Sequence, residues 1–300
     1  MIKSWIEAMR LRTLPVSVAC VIAGIGCAIM QNAFSLIPAL LCLVFATLAQ
    51  IASNFGNEYY DFKNGIDKKG RIGFRRGVTE GEITPTAMKR ATFITLAMAA
   101  IVGCAMLFYG PWWLIIVGVV IMVFALAYSA GPYPLSHHGL GDVAVIIFFG
   151  VIPVVFTCYL QTSTWQCLSI SLPTSITVGL LAANVLVINN YRDMEDDASV
   201  GKYTTVVIFG RKFMGWAYLL FGIIGMCVML PIWIRFNAWG WIIPVIYLTL
   251  HSKTWLKLRE KEGIALNPLL GRTAFNLLIF AIMYLTACIA YTYISLHPTL

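Results

Sequence analysis

Two short acidic segments interrupt a chain that is otherwise strongly apolar. The first acidic segment covers residues 57–67 and the second covers residues 189–202, and each follows directly on a long apolar run. Together they contain more than half of the 13 Asp and Glu residues. Carboxylates at the end of a membrane helix are energetically costly, so their presence indicates a function. Two such clusters predict one shared site for a divalent metal ion and a phosphorylated ligand.

Helical spacing selects the side chains that can act together. If each segment continues its helix, Asn57 and Asp61 lie on one face at i, i+4 spacing. The same spacing aligns Asn189, Asp193 and Asp197 in the second acidic segment. Stacked carboxylates repel one another unless cations lie among them, and hard oxygen ligands with room for water and phosphate suit Mg²⁺. Two such faces opposite each other can hold a diphosphate between bridging metal ions.

Cationic side chains accompany both segments. Arg192 stands beside Asp193, and Lys202 closes the second acidic segment. Arginines also follow the first acidic segment, at Arg71, Arg75 and Arg76. Guanidinium groups match the geometry of phosphate oxygens, and Lys supplies a point charge. Metal ions and cationic side chains together would stabilise the charge that develops on a departing diphosphate.

The composition predicts an all-α, polytopic membrane protein. Of the 300 residues, 60% are hydrophobic and only 11% are charged, whereas soluble domains carry about a quarter charged residues. The apolar runs are too long and uninterrupted for outer-membrane strands, which alternate apolar and polar residues. Because a helix needs about 20 residues to cross the hydrocarbon core, we predict a single membrane domain over residues 1–300. Its nine transmembrane helices are expected at residues 13–32, 35–54, 91–109, 112–130, 141–161, 172–190, 213–234, 239–252 and 273–295.

The basic residues predict the orientation of this domain. With nine spans, every Lys and Arg except Arg235 lies before the first span or in loops on the same side of the membrane. By the positive-inside rule that side is cytoplasmic, so the N-terminus and both acidic segments face the cytoplasm and the C-terminus lies outside. The net charge of +8 therefore reflects membrane topology and does not indicate nucleic-acid binding. The first apolar run is expected to be a retained helix and not a cleaved signal peptide.

At these residues the chain resembles the UbiA superfamily of intramembrane aromatic prenyltransferases. The first acidic segment is similar to the family's NDxxD motif with a further Asp downstream, except that Glu58 stands where Asp is usual. The second contains a DxxxD motif from Asp193 to Asp197. A finer similarity, to the 1,4-dihydroxy-2-naphthoate polyprenyltransferases of menaquinone synthesis, lies in residues 10–15, 59–67, 81–85, 131–135, 139–142 and 189–202.

The resemblance implies a Mg²⁺-dependent transferase whose substrates are an allylic polyprenyl diphosphate and 1,4-dihydroxy-2-naphthoate. Ionisation of the donor leaves a prenyl carbocation, which the acceptor attacks at its carboxyl-bearing carbon with loss of CO₂. The implied metal ligands are Asn57, Asp61, Asp193 and Asp197, with Glu58, Asp67 and Asp196 as auxiliary ligands. Implied substrate contacts come from Asn57, Asn189, Arg12, Arg71, Arg192, Lys202, Tyr128 and Tyr133. The expected location is a bacterial cytoplasmic (inner) membrane, within the lipid bilayer.

Two alternatives remain open at this point. The first keeps the reaction and changes the acceptor to 4-hydroxybenzoate, a tetrapyrrole or a glycerol phosphate. The second is a cation-coupled transporter, which would more often place ionisable groups near the bilayer midplane. We expect no polar residue at mid-span here, which disfavours the transporter. We also expect His137 and His138 to lie in a solvated loop.

Overall fold

The computed structural model describes residues 2–70 and 72–297, and the regular structure in this part of the chain is helical. The α-helices, in chain order, are α1 (Ile2–Ala8), α2 (Leu14–Ile29), α3 (Leu36–Lys63), α4 (Pro85–Met106), α5 (Leu114–Ala127), α6 (Gly141–Ile146), α7 (Ile152–Thr162), α8 (Leu168–Ser199), α9 (Thr205–Val228), α10 (Leu230–Arg235), α11 (Asn237–Gly240), α12 (Ile242–Glu260) and α13 (Asn267–Leu296). A π-helical stretch, Ile147–Val151, joins α6 to α7. The prediction of an all-α fold is confirmed.

Several helices have the length and composition of membrane spans. Within the described residues, six helical stretches are long and apolar enough to cross a membrane: α3, α4, α6 joined to α7, α8, α9 and α13. Helices α2 and α5 are apolar but shorter. Helix α12 covers the eighth expected span and carries Lys257 and Arg259 in its last turn. The chain is therefore a multi-pass membrane protein, whereas the count of nine transmembrane helices stays a prediction.

The two helices that carry the acidic segments end in the same way. One residue beyond the C-cap of α3 and of α8, Gly65 and Gly201 have φ angles of +71° and +73°. The next amide donates to the carbonyl oxygen of the segment's aspartate, Asp61 or Asp197, at 2.9 Å in both cases. This is a Schellman cap, in which glycine adopts the left-handed conformation without steric cost. Asp61 and Asp197 therefore occupy equivalent positions in the last turns of their helices.

Small residues bring the helices around the site into close contact. A Cβ atom added to Gly150 would lie 2.5 Å from the Cα of Gly179 in α8. Small residues at helix contacts are typical of membrane proteins, where van der Waals packing provides much of the association energy. The same π-helical stretch that contains Gly150 presents Phe148 and Phe149 to a cavity between α2, α3, α5, α7 and α8.

Candidate active site

The cavity between these helices has a volume of about 500 Å³. Its body is apolar, and the aliphatic and aromatic side chains that line it include Phe45, Leu114, Phe148, Phe156 and Leu160. Its polar end is lined by Arg10, Asn57, Arg76, Tyr128, Ser136, Asn189, Asn190 and Lys202. The polar end therefore lies where the two acidic segments meet. A cavity of this kind suits a ligand with an apolar body and a polar head.

Asn57 stands at the polar end of the cavity, and both sides of its amide are hydrogen bonded. Its Nδ2 donates to Ser129 Oγ at 2.8 Å. Its Oδ1 accepts hydrogen bonds from Arg76 Nη2 at 3.1 Å and from Arg10 Nη2. The amide therefore has a fixed orientation, with two guanidinium groups beside it at the cavity.

The turn that carries Arg10 is held by polar side chains of α3. Arg10 has a φ angle of +53°, which is uncommon for a residue other than glycine. Gln50 Nε2 donates to the Thr13 carbonyl at 2.9 Å, and Asn54 Nδ2 donates to the Met9 carbonyl at 3.0 Å. One face of α3 thus fixes the turn and presents Arg10 to the cavity.

Asp61 is buried beside the 3₁₀ turn Leu135–His137. Its Oδ1 lies 3.7 Å from Nε2 of His137, and no residue in the described ranges offers this oxygen a hydrogen bond. The expectation that both histidines are solvated is wrong for His137, whose side chain is only 13% exposed and faces Asp61, and it stays a prediction for His138, whose ring stacks on Tyr133 at 3.6 Å. The N–H of Tyr203 donates to the His137 carbonyl at 3.0 Å, which ties this turn to the end of the second acidic segment.

Arg192 organises the second acidic segment. Its Nε and Nη2 donate to the two carboxylate oxygens of Asp193 at 2.6 and 2.7 Å. Its Nη2 also donates to Asn189 Oδ1, and its Nη1 donates to Asn267 Oδ1, both at 2.9 Å. The side chains of Arg192 and Asp193 are only 2% and 1% exposed. Because a buried ion pair is costly to break from one side, Arg192 holds Asn189 and Asp193 in fixed positions.

Asp197 and Lys202 form the second ion pair of this segment. Lys202 Nζ lies 3.2 Å from Asp197 Oδ1, and both side chains are almost fully buried. The Schellman cap places Lys202 next to the last turn of α8, where the helix dipole favours a cation. Lys202 also lines the polar end of the cavity, so this pair adjoins the cavity.

The three predicted auxiliary ligands contact residues 72–78 in the loop between α3 and α4, and Asp67 itself lies in this loop. The contacts are Glu58 Oε1 with the N–H of Val78 (3.0 Å), Asp67 Oδ2 with Arg76 Nε (3.2 Å) and Asp196 Oδ2 with the N–H of Ile72 (3.1 Å). Carboxylates from both acidic segments therefore hold one loop.

The other predicted substrate contacts lie in different places. Tyr128 lines the cavity. The Arg12 guanidinium lies 4.5 Å from the centre of the Phe74 ring, at the surface of the same loop. Tyr133 is 58% exposed and contacts its neighbour in the turn rather than the cavity. Arg71 lies outside the described residues.

The donor atoms at the polar end suit a hard cation that is shared with a phosphorylated ligand. Within residues 2–70 and 72–297, no three His, Cys, Asp or Glu side chains are close enough to hold a metal ion by themselves. Mg²⁺ usually binds through one or two carboxylates together with substrate phosphates and water. Asp61 Oδ1 is a buried carboxylate oxygen without a hydrogen-bond partner in the described residues, whereas the amide oxygens of Asn57 and Asn189, which line the polar end, accept hydrogen bonds from arginines. The metal role of the predicted ligands stays a prediction.

Sequence reasoning did not identify three residues of this site, namely Arg10, Ser129 and Asn267. Arg10, and not Arg12, is the arginine of the N-terminal tract that lines the cavity. No short-range pattern marks Asn267, because it reaches Arg192 only through the packing of α13. The expectation of no polar residue at mid-span is also wrong, since Asn184 is fully buried within α8.

Comparisons with known proteins identify the family of the chain. Residues 17–267 match the sequence model of the family described as the UbiA prenyltransferase family. The chain is 35% identical over 295 residues to the 1,4-dihydroxy-2-naphthoate octaprenyltransferase of Escherichia coli (strain K12), with 94% of each chain covered. It is 32% identical over 300 residues to the protein of the same name from Haemophilus influenzae, again with 94% of each chain covered.

A solved structure shares the fold. The structure is similar to that of a UbiA homolog from Archaeoglobus fulgidus bound to DMAPP and Mg²⁺, with a TM-score of 0.69 and 16% sequence identity. The similarity covers 97% of this chain and 99% of the other. Together with the match over residues 17–267, these relatives show that the chain belongs to the UbiA prenyltransferase family.

Proposed function

We propose that this protein transfers a polyprenyl group from an allylic polyprenyl diphosphate to 1,4-dihydroxy-2-naphthoate, with loss of CO₂ and diphosphate. The product is demethylmenaquinol, a precursor in menaquinone synthesis. The observation that carries the proposal is the apolar cavity of about 500 Å³ whose polar end lies between the two acidic segments. The relatives named 1,4-dihydroxy-2-naphthoate octaprenyltransferase, which align with 94% of the chain, support this acceptor.

The donor fits the cavity in one direction. Its diphosphate lies at the polar end, where Arg10 and Lys202 supply positive charge and Asn57 and Asn189 supply amide groups. Its hydrocarbon tail occupies the apolar body, which excludes water from the reacting carbon. Arg192 acts behind this surface, because its hydrogen bonds keep Asn189 and Asp193 aligned.

A divalent metal ion, which we propose to be Mg²⁺, would neutralise charge on the diphosphate and make it a better leaving group. Asn57, Asp61, Asp193 and Asp197 would hold it together with phosphate oxygens. Lys202 keeps Asp197 in place through their 3.2 Å contact. The Archaeoglobus fulgidus homolog bound to DMAPP and Mg²⁺ supports a divalent metal at such a site.

The chemistry follows from this arrangement. The bond between the allylic carbon and the diphosphate oxygen breaks, and both electrons leave with the diphosphate. Aromatic faces stabilise positive charge, and Phe124 and Phe148 stack at 4.7 Å in the cavity wall. The carboxyl-bearing carbon of the acceptor then forms the new C–C bond. The bond to the carboxylate breaks, CO₂ leaves, and its electron pair returns to the ring.

We also propose the orientation of the chain in a bacterial cytoplasmic (inner) membrane. The N-terminus and the active site face the cytoplasm, and the C-terminus lies outside. The support is the positive-inside rule, because Arg235 is the one basic residue of the sequence assigned to the outer side.

An acceptor panel tests the proposal. Purified protein in detergent or nanodiscs is incubated with Mg²⁺, farnesyl diphosphate and one acceptor at a time. The acceptors are 1,4-dihydroxy-2-naphthoate, 4-hydroxybenzoate, a tetrapyrrole and a glycerol phosphate. A prenylated naphthoquinol is the expected product. Conversion of 4-hydroxybenzoate alone would refute the proposed acceptor, and ion uptake into proteoliposomes without prenyl transfer would refute the enzyme.

A further inference from the structure

The loop between α3 and α4 contains a short stretch, residues 72–78, that contacts both acidic segments. We call this stretch the strap. At one end the N–H of Ile72 donates to Asp196 Oδ2 at 3.1 Å, and at the other end the N–H of Val78 donates to Glu58 Oε1 at 3.0 Å. Between them, Arg76 Nη2 donates to Asn57 at 3.1 Å. The strap therefore bridges the last turns of α3 and α8.

Phe74 lies at the middle of the strap, between two arginines from distant parts of the chain. The guanidinium carbon of Arg12 lies 4.5 Å from the ring centre, and that of Arg192 lies 5.0 Å from it. Two guanidinium groups repel each other, but the face of an aromatic ring attracts a cation. Phe74 is also packed against the main hydrophobic core, so its ring has a fixed position. One side chain thus contacts two positive groups, and it supports Arg192 together with the hydrogen-bond partners of that residue, Asp193 and Asn267.

Glu58 fastens the strap to α3. Its side chain is only 1% exposed, and Oε2 lies 4.0 Å from Arg76 Nη1 while Oε1 accepts from the Val78 N–H. A carboxylate that accepts a hydrogen bond from a buried backbone N–H satisfies a group that is costly to leave unpaired. Glu58 therefore holds the strap against α3.

We propose that the strap holds Arg192, and through it Asn189 and Asp193, in position for the donor diphosphate, with Phe74 as the positioning residue and Glu58 as the anchor rather than a metal ligand. The inference rests on the proposed function, because it needs a diphosphate donor. The proposal explains why Glu58 contacts the loop. Its neighbours on the same helix lie elsewhere, because Asn57 lines the cavity and Asp61 lies beside the turn that contains His137.

Substitution of Phe74 tests the positioning role. We expect Phe74→Leu to raise the KM for the prenyl diphosphate about tenfold, equivalent to about 1.4 kcal/mol, and to leave the acceptor KM within about twofold. Phe74→Tyr keeps the ring face and should retain the wild-type donor KM. Phe209→Leu is the matched control, because Phe209 is 56% exposed and its ring contacts that of Phe213 on the same helix. Equal changes in both KM values, or a donor KM that Phe74→Leu leaves unchanged, would overturn the positioning role.

Substitution of Glu58 tests the anchor. Glu58→Gln keeps an oxygen for the Val78 N–H, so the Mg²⁺ concentration for half-maximal activity should stay within about twofold of wild type. Glu58→Ala should speed backbone hydrogen exchange in residues 72–78 and raise the donor KM, with the Mg²⁺ requirement unchanged. Asp61→Asn provides the comparison for a metal ligand. A Glu58→Gln variant whose Mg²⁺ requirement rises as much as that of Asp61→Asn would contradict the anchoring role.

One further readout separates this inference from the proposed function. Equilibrium binding of a prenyl thiodiphosphate, a donor analogue that does not ionise, reports the effect of Phe74→Leu without any turnover. If wild-type protein prenylates a different acceptor, the proposed acceptor is wrong while the binding result still decides the role of the strap. If Phe74→Leu binds the analogue as tightly as wild type, the strap does not hold Arg192 in position for the donor, whichever acceptor is used.

Discussion

Replacement of Arg192 by Lys would test how strongly the site depends on one guanidinium. Lys keeps the positive charge but cannot reproduce the fork that reaches both Asp193 oxygens, Asn189 and Asn267. If two of these charge-assisted bonds are lost at about 1.5 kcal/mol each, the loss is about 3 kcal/mol. Because about 1.4 kcal/mol corresponds to a factor of ten, we expect kcat/KM for the donor to fall about a hundredfold.

The neighbouring helix α9 supplies a matched control for this experiment. Arg211 makes a similar two-pronged contact with Glu195, with both distances at 2.5 Å, but Glu195 is 60% exposed. Exposed ion pairs contribute little, so Arg211→Lys should stay within about twofold of wild type. Steady-state kinetics with the donor varied at saturating acceptor measures both variants. An Arg192→Lys enzyme within about threefold of wild type would refute the argument that the buried fork aligns the site.

Three other predictions concern helix packing, the apolar body of the cavity and the hydrogen bond between Asn267 and Arg192. Gly150→Ala should lower the free energy of unfolding by about 1–3 kcal/mol, because the added methyl group would lie 2.5 Å from Gly179. Gly118→Ala is the control, because its methyl group would meet nothing within 4 Å. Equal thermal unfolding of the two variants would contradict this prediction. Leu160→Trp should fill the apolar body and reduce use of long donors more than of dimethylallyl diphosphate; product analysis that shows equal losses would refute the tail position. Asn267→Ala should cut donor kcat/KM about tenfold, from one lost hydrogen bond to Arg192, and unchanged kinetics would show that this contact is dispensable.

The parts of the site that lie close together in sequence could be predicted. Helical spacing placed Asn189 with Asp193, because a helix repeats every 3.6 residues, and Arg192 contacts both side chains. Composition alone was enough to predict the all-α membrane fold. The glycines at 65 and 201, each four residues beyond a site aspartate, were a further signal in the sequence, since glycine favours the Schellman cap that ends both helices.

The parts of the site that depend on tertiary packing could not be predicted. Spacing cannot show that Arg10 lines the cavity and Arg12 stacks on Phe74, because the turn before α2 is set by side chains of α3. Nor can it show that Glu58 reaches the strap, since the loop after α3 folds back on its own helix. The count of spans is difficult for a different reason, because hydropathy measures composition and not the end of a helix.

Carboxyl-labelled acceptor gives the most direct test of the central claim. Purified wild-type protein is incubated with Mg²⁺, a polyprenyl diphosphate and 1,4-dihydroxy-2-naphthoate that carries a labelled carboxyl carbon. Labelled CO₂ and prenylated naphthoquinol are measured together over time. The proposed reaction predicts equal amounts of the two products, both abolished in Asp193→Ala. Prenylated product that retains the label, or no product while another acceptor is converted, would contradict it.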